Sequence, residues 1–141
     1  MRNDSKRTFN RDLNALDDVS QFIGAFVADN EVDSDSGFSV DLAVEELFTN
    51  MVKYNPDGSP EIEIGLSKDD SRLTVVLVDF FSPPFDLTQY EPPDVKACLR
   101  DRKPGGLGIL LVQRLMDEIL YEWVDHQSRI TLVKKLVETH V

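Results

Sequence analysis

One cysteine, Cys98, in a chain of 141 residues leaves no partner for an internal disulfide and rules out a thiolate metal cluster. Its ordinary role is that of a small, partly buried side chain. Long apolar runs are missing too. Nothing in the sequence is long enough to span a bilayer, and Met1 to Asn10 is polar and mixed in charge, without the apolar core of a signal peptide. The chain therefore reads as cytoplasmic, with no membrane partner. Positive charge is scarce: 15 Lys and Arg against 26 Asp and Glu leave a formal net charge of −11. No basic run reverses this locally, so the polyanionic backbone of a nucleic acid would be repelled. The two histidines, His126 and His140, lack any partner pattern for a metal or a catalytic dyad and read as surface residues. No internal repeat or low-complexity segment is present.

What remains is a chain long enough to bury a core, most simply one domain over 1–141. Leu13, Leu16, Val19, Phe22, Ile23, Phe26 and Val27 recur at three and four, which predicts a first helix capped by Asp12 or Asn10. The Asp-Ser-Asp-Ser-Gly run from Asp33 to Gly37 reads as a loop. A second helix is expected from Phe38 or Ser39, with Val40, Ala43, Val44, Leu47, Phe48 and Met51 on one face, ending at the Asn55-Pro56-Asp57-Gly58 turn. Glu61 to Leu66 and Leu73 to Val78 read as an antiparallel hairpin across Ser67 to Ser71. Phe80 to Pro104 holds two Pro-Pro pairs and little periodicity beyond a short helix around Val95 to Leu99. Long irregular stretches of this kind usually serve as functional loops. A third helix follows from about Leu107 to Glu118. Strands near Ile119 to Val124 and Arg129 to Leu136 close the chain across the turn from Asp125 to Ser128.

Two local patterns carry chemistry. Lys103-Pro104-Gly105-Gly106-Leu107-Gly108 sets three glycines at the start of the third helix. There the first N–H groups have no intrahelical acceptor, the dipole favours negative charge, and glycine lets a phosphate approach the main chain. On the second helix Glu46, Asn50 and Lys53 stand at i, i+4 and i+7, forming one polar stripe away from the apolar face. The Asn50 carboxamide offers a neutral oxygen to Mg²⁺, and Glu46 can accept a proton. Upstream of the glycines, Lys96, Arg100, Arg102 and Lys103 gather positive charge suited to neutralising phosphate.

Together, and in this order, these pieces resemble the GHKL ATPases, which include histidine kinase catalytic domains, gyrase and the anti-sigma-factor serine kinases. Val44 to Tyr54 is similar to that family's N-box, and Pro83-Pro84-Phe85-Asp86 to the tail of its first glycine box. The segment from Gly105 to Glu118, with Tyr121-Glu122 and Ile130 to Lys135, resembles the second glycine box and closing strands of the anti-sigma kinase subgroup. The resemblance implies an α/β Bergerat fold, a two-layer sandwich with helices on one face of a mixed, mainly antiparallel sheet. A lid at approximately 86–106 would close over ATP. It further implies Glu46 as general base and Asn50 as the Mg²⁺ ligand. Nucleotide contacts would come from Asn50, Lys53, Asp79, Pro84, Phe85, Arg102, Gly105, Gly106, Leu107 and Gly108, with Thr131 near the adenine.

The first glycine box departs from the family. Its usual aspartate, which bonds the adenine amino group, falls on Phe80, and its usual glycine on Ser82, while Asp79 lies one residue early. Either a one-residue bulge re-aims Asp79, or Phe80 faces the base and offers stacking without a hydrogen bond. The resemblance implies an ATP-dependent serine/threonine protein kinase that phosphorylates a serine of an antagonist protein in a bacterial partner-switching pathway. Its partners would be that antagonist, a sigma factor and a second copy of the chain. The altered box suggests an alternative, a regulator that sequesters a protein with little nucleotide binding. A stand-alone histidine kinase-like ATPase domain is the third reading.

Overall fold

Alternation builds the sheet. Ile62, Ile64 and Leu66 are buried in β2 (Glu61–Lys68), as are Leu73, Val75, Leu77 and Asp79 in β3 (Arg72–Phe80). These residues share one side of the pleat. The computed structural model describes residues 3–82 and 106–136. Within them β1 (Asn3–Asn10), β4 (Glu118–Val124) and β5 (Gln127–Lys135) complete a five-stranded sheet in the order β1-β2-β3-β5-β4. Each of its four pairings is antiparallel, so the described strands contain no parallel pair of the mixed sheet expected above.

Among the described residues, three helices cover one face. A 3-10 turn at Leu13–Ala15 leads into α1 (Leu16–Asp29), followed by α2 (Ser34–Tyr54) and, after the glycines, α3 (Gly106–Leu115). Val19 and Ile23 of α1, Val44 and Phe48 of α2, and Ile109 and Val112 of α3 join the inward strand residues in one core. Each such aliphatic or aromatic side chain contributes about 1.5–3 kcal/mol when removed from water. Val78 and Val133 are buried but stand outside that cluster, on the opposite face. None of the helices among the described residues is long and apolar enough to cross a membrane.

Two expectations change. The run from Asp33 to Gly37 opens α2 instead of forming a loop. The Asp33 carboxylate accepts the Ser36 N–H at 2.9 Å, which caps the helix and holds its carboxyl below the usual range. Gly37 is buried against α1, where a Cβ would lie 2.9 Å from Val27 Cγ1, so only glycine permits the two helices to approach this closely. The polar N-terminal segment, in which no strand is predicted, forms β1 on the sheet edge and pairs with β2 from Asn3↔Lys68 to Asn10↔Glu61. The predicted helix around Val95 to Leu99 lies outside the described residues.

Candidate functional site

The glycine-led helix and the polar stripe meet. A Cβ built on Gly108 would collide with Oε2 of Glu46 and lie 3.4 Å from its Cδ, so the Glu46 side chain rests against the first turn of α3. That turn carries the N–H groups free of intrahelical acceptors. Glu46 and Asn50 are half-buried, and neither side chain has a hydrogen-bond partner among the described residues. Lys53, one turn on, is exposed. The described residues hold no group of three or more His, Cys, Asp or Glu placed to bind a metal. A divalent ion here would therefore rely on the Asn50 oxygen, phosphate oxygens and water, a donor set that suits Mg²⁺.

At the far end of the same face stands Asp79. The register Ile62↔Asp79↔Ser128 continues without interruption, so no bulge is present. Asp79 simply extends the inward series Leu73, Val75 and Leu77, while alternation turns Phe80 to the other side. Asp79 is 4% exposed and ion-paired with Arg11, whose side chain is also 4% exposed. The Arg11 guanidinium donates from Nη2 to Asp79 Oδ1, from Nε to the Ser59 carbonyl at 2.7 Å and from Nη1 to the Met51 carbonyl at 3.1 Å. Asn55 Nδ2 reaches Asp79 Oδ2 and the Phe81 carbonyl, each at 3.4 Å.

Beside this group lies a second polar cluster. Ser82 Oγ and Ser128 Oγ are 2.5 Å apart, Trp123 Nε1 donates to the Ser82 carbonyl at 2.9 Å, and Tyr121 Oη is 3.4 Å from Ser128 Oγ. Thr131 is not part of it. Its neighbours Ile130 and Leu132 face the core, so the pleat directs Thr131 to the other face, in register with Val76 and Leu120. Ser128 is the hydroxyl that β5 sets next to Asp79. Gly106 and Leu107 open α3. Pro84, Phe85, Arg102 and Gly105 lie outside the described residues, as do Lys96, Arg100 and Lys103.

Arg11, Asn55 and Ser128 were not among the expected site residues. Parity along β3 is a signal that selects Asp79 over Phe80. No local pattern marks Arg11, which lies 68 positions from its partner.

An antiparallel sheet with helices on one face, and an N-box-like helix meeting a glycine-led helix start, are the layout of the GHKL class of domains. The chain belongs to the histidine kinase-like ATPase domain family, which it matches over residues 9–134. It is similar to the serine-protein kinase RsbW of Bacillus subtilis, at 34% identity over 86 residues, covering 55% of this chain and 52% of that protein. RsbW of Bacillus velezensis is 33% identical over 86 residues, with the same coverage. The match thus spans about half the length of these relatives. In fold the chain resembles the RsbU and RsbW domains of Rv1364c from Mycobacterium tuberculosis, with a TM-score of 0.67 and 14% identity over 95% of this chain and 32% of that one. It also resembles the SiaB–SiaC complex from Pseudomonas aeruginosa, with a TM-score of 0.66 and 13% identity over 94% of this chain and 88% of that one.

Proposed function

We propose that this chain is a cytoplasmic, RsbW-like regulatory serine/threonine protein kinase, a single domain over 1–141 with a lid at 86–106, that takes Mg·ATP as phosphoryl donor. The observation that carries this reading is the meeting of Glu46 with the first turn of α3 at Gly108, with Asn50 one helical turn away and unpaired among the described residues. The α3 amides and Asn50 would hold the polyphosphate and Mg²⁺. When bound, the ion supplies charge neutralisation on the phosphate oxygens. Glu46 would take the proton from a serine hydroxyl of an antagonist protein, a role in which a general base contributes about 10²- to 10⁴-fold. Positioning and charge complementarity account for most of the remaining catalysis of phosphoryl transfer. The names of the RsbW relatives support serine as acceptor, and the SiaB–SiaC neighbour supports a protein partner. A sigma factor and a second copy of the chain are the further partners of this proposal.

Titration calorimetry with Mg·ATP, paired with transfer of labelled phosphate to candidate antagonist proteins, tests it. Glu46→Gln should keep nucleotide binding and lose at least about 10²-fold in transfer; wild-type transfer by that variant removes Glu46 as the base. A second reading, a module that sequesters a protein without nucleotide, draws on the pairing of Asp79 with Arg11. No binding at millimolar Mg·ATP favours it.

A further inference from the structure

Polar groups are distributed unevenly over the site. At one end Glu46 and Asn50 have no hydrogen-bond partner among the described residues. At the other, Asp79 holds Arg11 on one oxygen and Asn55 on the other, Ser82 pairs with Ser128, and Trp123 closes onto the Ser82 carbonyl. All three guanidinium nitrogens of Arg11 donate within the chain. The turn after α2 backs this arrangement: a Cβ on Gly58 would stand 2.6 Å from Arg11 Cζ, so the main chain packs closely against the guanidinium.

We propose that Arg11 is a specificity-determining residue that occupies the Asp79 carboxylate, so that the site grips the polyphosphate and scarcely distinguishes adenine from guanine. The inference rests on the nucleotide reading above and concerns the selectivity of that same site. A site rejects the wrong base strongly when that base leaves buried polar groups unpaired. Here those groups are paired before any base arrives, and the bond from Arg11 to Asp79 is charge-assisted at both ends. An adenine amino group adds at most a bond to a remaining lone pair of a carboxylate whose charge Arg11 already offsets, and with guanine Asp79 stays paired to Arg11 and Asn55. Neither base gains a large advantage.

Calorimetry on the full chain with Mg·ATP, Mg·GTP and Mg·tripolyphosphate decides the matter. The expected result is measurable binding of all three, with ATP and GTP dissociation constants within about tenfold of each other; a preference for ATP beyond about tenfold overturns the proposal. Absence of binding by all three, tripolyphosphate included, instead rejects the nucleotide reading itself. Arg11→Met, checked for folding by circular dichroism, releases Asp79 and should raise the ATP-over-GTP preference by at least about tenfold. An unchanged ratio in the folded variant removes Arg11 from the role. Should Arg11→Met not fold, the wild-type comparison decides alone.

Discussion

Gly108 lies directly beneath Glu46, with no room for a Cβ between the α3 backbone and the Glu46 carboxylate. The obstructing atom is the end of a flexible side chain, so Gly108→Ala can be accommodated by swinging Glu46 aside. Alanine is a better helix former than glycine by about 1 kcal/mol. Thermal or urea unfolding should therefore show stability unchanged or raised by up to about 1 kcal/mol, while under the kinase reading proposed above phosphotransfer should drop about tenfold or more as Glu46 leaves its place. A variant that is destabilised yet fully active would contradict the contact.

The buried pair Arg11–Asp79 should behave asymmetrically in mutation. Removing one member leaves the other charged, desolvated and alone, at a cost of about 3–5 kcal/mol in either Arg11→Met or Asp79→Leu. Combining the two should recover much of that loss, because the uncompensated charge disappears. Urea unfolding of the four-member cycle measures this. Simple addition of the two single losses would mean that the pair is not coupled.

Between α1 and α2, Ser20 Oγ lies 2.9 Å from Asp41 Oδ1 and 2.8 Å from Glu45 Oε1. One hydroxyl has one proton and cannot donate to both carboxylates. Burial pushes the Asp41 carboxyl above 3.8, the Ser20 hydrogen bond partly offsets this, and the Glu45 charge adds to it. A raised pKa means that the folded state binds the proton more tightly than the unfolded chain. The Asp41 contribution is therefore fully present below 3.8 and is lost as pH rises through the raised value. Asp33 and Asp69, both lowered, act in the opposite sense. The informative quantity is thus the difference between Asp41→Asn and wild type. Its urea stability should gain on wild type as pH rises from about 4 to 7. A flat difference would refute the raised Asp41 carboxyl.

The β4–β5 hairpin turns through Asp125 and His126, with φ of 54° and 63°. Both centre residues are in the left-handed region, as a two-residue type I′ turn requires, and L side chains pay about 1–2 kcal/mol there. Asp125→Gly should raise stability by about 1 kcal/mol. His126→Gly should gain less, since it also removes the edge contact with the Trp123 ring, whose centroid is 5.5 Å away. Thermal melts of the two variants give the ranking; equal gains would mean that the ring contact contributes nothing.

Helix periods placed α1, most of α2 and α3, and alternation placed both hairpins, because those patterns arise from burial against a common layer. β1 escaped notice for the corresponding reason. Of its residues from Asp4 to Asn10 only Phe9 is buried, and an edge strand is held mainly by its main-chain bonds to β2. The start of α2 was hidden by a run of polar residues that reads equally as loop or as cap until Asp33 is seen to accept the Ser36 N–H. Motif position implies Thr131 near the adenine, whereas the pleat sets it on the face opposite Ile130 and Leu132, because a shift of one residue changes the face.

By itself the sequence determined α1, most of α2 and α3, the two hairpins, the helix-start glycines and the polar stripe from Glu46 to Lys53, since each depends on neighbours within a few positions. Only the tertiary structure decided that Glu46 lies on Gly108, that Ser128 stands beside Asp79 in an unbulged register, and that Arg11 holds Asp79. These are contacts between elements distant along the chain, and they are settled by which faces the sheet and helices bury against one another.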